Sequence, residues 1–177
     1  MKKIILTLTI FFVSSSYSFI NAEQTNIDIA RELCCNALCE GSRENCDAAF
    51  VFGKNTLDNL EIGVKIEDVN HLKGLLCTAC INCNLNNLET LVTIADEVIK
   101  FKRDSAYLAE IHVINAWLIK SMLEMINHNF DQALSYIRIA DLLSDNYKTS
   151  KLFEKEMHQR MKNMIKLQRE FISTYQK

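Results

Sequence analysis

Residues 104–144 read DSAYLAEIHVINAWLIKSMLEMINHNFDQALSYIRIADLLS. Tyr107, Ile111, Ile114, Leu118 and Met122 recur at intervals of three and four, the spacing of one helical face, and no strand-like alternation interrupts them. Asp104 stands ahead of the run as an N-cap residue would. The polar break Asn127-His128-Asn129 leaves room only for a chain reversal, after which Ala133, Ile137 and Ala140 resume the spacing. The stretch therefore predicts two helices, over 104–127 and 130–144, packed antiparallel as a hairpin.

The same periodicity extends in both directions. Residues 25–40 place Ile27, Ala30, Cys34 and Ala37 or Leu38 on one stripe, with Gly41 as a C-terminal cap. Residues 44–62 carry Cys46, Phe50, Gly53, Leu57 and Leu60; residues 66–82 carry Val69, Leu72, Leu76 and Ala79, with Cys83 just beyond. Residues 86–101 carry Leu88, Leu91, Ala95, Val98 and Ile99, and residues 149–175 form a last helix. Proline is absent and only four glycines occur, so helix breakers are missing almost everywhere. The expected fold is all-α: about seven helices in an array of antiparallel hairpins.

A weak internal repeat lies within this array. His128-Asn129-Phe130-Asp131-Gln132-Ala133, followed by Ile137 and Ala140, has a counterpart 45 residues earlier in Cys83-Asn84-Leu85-Asn86-Asn87-Leu88, followed by Val92 and Ala95. Asn129 and Gln132 have capping-box spacing. Both copies resemble the turn and second helix of a tetratricopeptide repeat, over residues 69–145. The resemblance implies a right-handed stack in which Trp117, Ser121, Ala133 and Ala140 pack helix crossings. It also implies that exposed residues of the third and fifth helices line a concave face, and that the chain binds a protein or peptide without catalysing a reaction. The chain departs from the family where Cys83 and His128 replace the expected glycine and Leu88 the usual alanine.

At the N-terminus, Lys2 and Lys3 precede an apolar run from Ile4 to Val13, then serines and Ile20-Asn21-Ala22. That order reads as a secretory signal peptide over residues 1–22, leaving residues 23–177 as one helical domain exported to the periplasm or secreted. The run is about half the ~20 residues a bilayer-spanning helix needs, and no later segment is long enough either, so no stable membrane insertion is expected. Within the domain, residues 23–83 are cysteine-rich, 84–147 repeat-like, and 148–177 a basic C-terminal helix. Residues 148–177 hold eight Lys or Arg against three Glu, whereas residues 23–147 hold ten against nineteen acids. The acidic body and the expected export both argue against nucleic acid as a partner.

All seven cysteines, Cys34, Cys35, Cys39, Cys46, Cys77, Cys80 and Cys83, fall between residues 34 and 83. In an exported protein the leading reading is a set of disulfides that staple the scaffold, with no cofactor. Cys39 with Cys46 is the first expected pair, because they flank the turn at Gly41, and Cys34 and Cys35 could meet Cys77, Cys80 or Cys83. The alternative is a thiolate copper or zinc site formed by Cys34, Cys35, Cys77, Cys80 and Cys83. Nothing points to an enzyme. The CxxC pairs do not open a helix after a strand, the four histidines lack HExxH spacing, and phosphate-loop and GxSxG motifs are absent. Met157, Met161 and Met164, spaced four and three apart, would also suit copper, but such a row is more simply core.

Overall fold

The helical spacing is realised in the computed structural model, which describes residues 22–40, 42–60, 64–81, 87–104, 110–148 and 152–175. Seven helices follow in order: α1 Ala22–Glu40, α2 Arg43–Asp58, α3 Ile66–Ala79, α4 Leu88–Asp104, α5 Glu110–Ile126, α6 Phe130–Asn146 and α7 Leu152–Tyr175. The fold is all-α, and no strand occurs among the described residues. The sequences assigned to the signal peptide up to Asn21, the Gly41 cap, Cys83 and Tyr107 lie outside the described residues.

Each helix buries the stripe its spacing marks. Ile27, Ala30, Cys34 and Ala37 of α1 are buried, as are Cys46, Ala49 and Phe50 of α2, and Leu72 and Leu76 of α3. Burial of each large aliphatic side chain contributes about 2 kcal/mol. Ser42 caps α2 by accepting from Asn45 N at 3.2 Å. The expected cap at Asp104 is not formed: Asp104 is the last residue of α4, and α5 starts at Glu110. Nor does the capping box form at α6, where the Asn129 side chain makes no cap bond and its Nδ2 donates to Glu124 at 2.9 Å.

The turn between α5 and α6 closes in another way. His128 N donates to Met125 O at 3.1 Å, Asn129 N donates to Glu124 O at 2.8 Å, and His128 has a φ of 60°. Those two bonds define a Schellman motif, whose left-handed residue is ordinarily glycine.

Contacts fix the helix directions. Cys46 reaches Ala79 while Gly53 lies against Leu76, so α2 and α3 run antiparallel. Ser144 meets His158 while Asp141 meets Arg169, so α6 and α7 do as well. The odd-numbered helices form a layer, α1 on α3, α3 on α5 and α5 on α7, whereas α2, α4 and α6 each touch only their neighbours in the chain. Both α3 and α5 consequently have four helical neighbours.

That arrangement corrects the expected concave face. From Leu72 to Cys80 in and just after α3, and from Ile111 to Met125 in α5, no residue is exposed. Helices enclosed on four sides present little surface over these spans.

Candidate functional site

The cysteines of α1 divide by helix geometry. Cys34 is buried, whereas Cys35 and Cys39 are exposed. Cys46, Cys77 and Cys80 are buried on α2 and at the end of α3. Cys46 Sγ donates to Ala79 O at 3.2 Å and Cys80 Sγ donates to Cys46 O at 3.6 Å, so the two thiols tie α2 to the end of α3. Burial, and then the nearby Cys34, push the Cys77 thiol far above its ordinary range. Burial, followed by Cys39 and Glu32, also raises Cys35.

No disulfide at bonding distance is found among the described residues. Cys46 turns toward Ala79 and not toward its expected partner Cys39, because Cys39 lies on the outer side of α1 while the stripe of α2 faces α3. Nor do the expected metal ligands converge. No three His, Cys, Asp or Glu side chains come together to hold a metal among the described residues. Of the expected set, Cys35 is exposed, while Cys83 lies outside the description. Cys77 and Cys80 sit at the carbonyl end of α3, whose dipole opposes a thiolate, unlike a helix N-terminus that activates one.

A buried polar network joins α3 to α5. Thr78 Oγ1 donates to Gly74 O at 3.0 Å, and Asn115 Nδ2 lies 3.0 Å from Ile111 O and 3.4 Å from Thr78 Oγ1. His112 Nδ1 is 2.7 Å from Thr78 Oγ1. With the hydroxyl proton directed at Gly74, Nδ1 carries the hydrogen and donates to Thr78. Burial, and then the ring of His71 at 5.9 Å, lower the His112 pKa to about 4. This network satisfies interior polar groups; it offers no nucleophile or exposed base.

The repeat-packing residues occupy two crossings. Ser121 is fully buried between α5 and α7, with its Oγ 2.7 Å from Leu118 O and in hydrogen-bond contact with the Gln168 amide oxygen. Trp117 is half-buried and packs on Tyr136 of α6, with ring centroids 5.3 Å apart. Ala133 and Ala140 are fully buried on α6.

Two features remain that bear on ligands. The first is a cavity of about 80 Å³ with walls drawn mainly from the odd-numbered layer. Ala37 and Leu38 of α1, Thr78, Ala79 and Ile81 at the end of α3, and Asn115 of α5 line it, joined by Cys46, Met157, Met161 and Met164. Arg160 stands at its edge and donates to Leu38 O at 3.2 Å, tying α7 to α1. The second feature is on α7, whose Met157, Met161, Ile165, Gln168 and Ile172 face inward. A second apolar row, Leu167, Phe171 and Tyr175, is 58, 46 and 64% exposed. It continues Met164 of the cavity wall along the helix, on the flank opposite the one where His158, Lys162 and Arg169 meet α6.

A larger groove of about 430 Å³ lies between α2, α3 and α4, where Lys54 pairs with Asp58, Lys73 pairs with Glu97, and Glu89 is a further carboxylate of the wall. The methionine spacing was visible in the sequence. Its conjunction with Cys46, more than a hundred residues away, had no local signal. No protein-family model, no curated protein and no solved structure matches the chain.

Proposed function

We propose that the chain is an exported, non-enzymatic interaction module, built like a tetratricopeptide protein, that holds a protein or peptide against its last helix. The observation that carries this reading is the exposed row Leu167, Phe171 and Tyr175, a continuous apolar strip on a helix that already buries its other apolar row. Contiguous exposed apolar side chains mark interaction sites more than isolated ones do. The row is met at intervals of four residues, which an amphipathic helix reads with its own apolar face. Basic residues predominate over residues 148–177, so the fitting partner is an acidic amphipathic segment. The alternation of layers and the left-handed residue at His128, where the repeat family places glycine, support the family likeness. The signal-like N-terminus supports export.

Selection from a displayed library of helical peptides tests the reading. Acidic amphipathic peptides should be enriched, and Leu167→Asp with Phe171→Asp should abolish their binding while leaving the circular dichroism unchanged. Peptides that bind the double variant as well as the parent would move the docking surface away from α7.

A further inference from the structure

We propose that the cavity between α1, α3, α5 and α7 is a Cu(I) site, in which Cys46 supplies a thiolate and Met157, Met161 and Met164 supply thioethers. This site is distinct from the cysteine set expected from the sequence and shares none of its members.

The wall decides the metal. Four sulfur side chains from α2 and α7 line one cavity. The oxygen and nitrogen donors beside them, Thr78 and Asn115, already serve His112, Gly74 and Ile111. Thiolate and thioether donors select Cu(I) over harder ions, and among the described residues the lining holds no carboxylate or imidazole, which zinc would draw on. Met161 lies about one helical turn from both Met157 and Met164, so an ion held by Cys46 and Met161 has another thioether within reach on either side.

Size and charge agree. A cavity of about 80 Å³ admits a monatomic ion, whereas organic ligands occupy roughly 300–1,000 Å³. Binding is a proton exchange: Cu⁺ joins the Cys46 sulfur, the S–H proton leaves to solvent, and no electron moves. The product, a copper thiolate, carries no net charge, which suits walls of Ala37, Leu38, Ala79 and Ile81. A divalent ion would retain a positive charge beside Arg160, with no carboxylate among the described lining residues to offset it.

The other thiols also attract soft metals, so the test must report on the methionines. In protein labelled with ¹³C at the methionine methyl groups and kept reduced and anaerobic, Ag(I) serves as a diamagnetic stand-in and is followed by Cu(I). The first equivalent should move the methyl signals of Met157, Met161 and Met164, while Met122 and Met125, which lie outside the cavity, stay in place. Cys46→Ala should abolish those movements. Met161→Leu, a change of similar volume, should lower Cu(I) affinity about tenfold or more against a chromophoric chelator without changing the Tm. If the three methyl signals stay still at the first equivalent, or Met161→Leu leaves the affinity unchanged, the sulfurs are core packing and the site is not there. That second comparison decides the matter even where Cys46→Ala fails to fold.

Discussion

Burial removes hydration from His112 and the nearby His71 opposes its charge, so the folded protein binds this proton only near pH 4, while the unfolded chain binds it near 6.5. Between those values the unfolded state carries more protons, and stability therefore rises with pH across the window and is lost as pH falls through it. The full loss is about 3 kcal/mol. His71, lowered by burial first and by Arg31 next, acts in the same direction, partly offset by Asp68. Urea unfolding at pH 7 and pH 4.5 should show this drop, and His112→Gln should flatten it; an unchanged slope would place the pH sensitivity elsewhere. At His128 the issue is backbone conformation. Its φ of 60° costs a non-glycine residue about 1–2 kcal/mol, part of which glycine recovers despite its looser unfolded chain. His128→Gly should raise stability by about 0.5 kcal/mol and His128→Val should lower it by about 1 kcal/mol or more in the same urea measurement. Histidine carries little sequence signal for a left-handed turn residue, and it is the two backbone bonds and the φ of His128 that show why glycine would suit the position.

Helices show most plainly what spacing can and cannot reveal. All seven were legible because buried apolar residues recur at three and four along each, as Ile27, Ala30, Cys34 and Ala37 do. Their ends were less so. Asp104 looked like the cap of α5 because an acid before an apolar run has that signature, yet α4 simply continues through Phe101 to Asp104. α3 stops at Ala79, earlier than its apolar residues suggested, with no glycine or proline to mark the end. Gly53 reads in sequence as a weak point in α2, by about 1 kcal/mol relative to alanine. Structure gives it a purpose: a Cβ there would stand 2.7 Å from Leu76 Cδ2, inside the α2–α3 contact, and Leu76 is itself fully buried. Gly53→Ala should thus fail to stabilise and instead cost about 1 kcal/mol, while a shorter side chain at position 76 makes room. A double-mutant cycle with Leu76→Val should return a favourable coupling of about 1 kcal/mol; additive effects would show that the crossing is looser than drawn. At the α5–α7 crossing, Ser121→Arg should destabilise by about 3 kcal/mol or more, since the guanidinium would replace a fully buried hydroxyl bonded to Gln168. A thermal melt that leaves the variant unchanged would remove Ser121 from that crossing.

At the scale of the whole molecule, connectivity explains both what is stable and what was hidden from the sequence. Short connections predicted neighbours in the chain, but the succession α1, α3, α5, α7 depends on contacts between residues far apart, and no local pattern encodes them. The sulfur-lined cavity is a product of that layer and stayed illegible for the same reason. Stacked hairpins hold together through nearest neighbours, so a helix's protection should follow how many neighbours enclose it. Among the described residues α3 and α5 have four each, whereas α1 packs chiefly on α2 and α3 and α7 chiefly on α5 and α6, with Leu38 and its hydrogen bond from Arg160 linking the two ends. Two apolar clusters also meet at α5: Val113, Ala116 and Ile119 belong to the one reaching back to α1, and Ile111, Ile114 and Leu118 to the one shared with α6 and α7. α7 can then separate while the larger cluster stays closed, but α5 cannot open without breaking both. Native-state hydrogen exchange should find the slowest amides in residues 72–79 and 111–121, exchanging only through global unfolding. The amides of α7 should exchange through a smaller opening with weaker denaturant dependence, because less surface is exposed. Arg160→Ala should leave global stability nearly unchanged, its bond being exposed, yet speed exchange in α7. Uniform protection across α1 to α7 would mean that the molecule opens as one unit, and that neighbour count does not set its local stability.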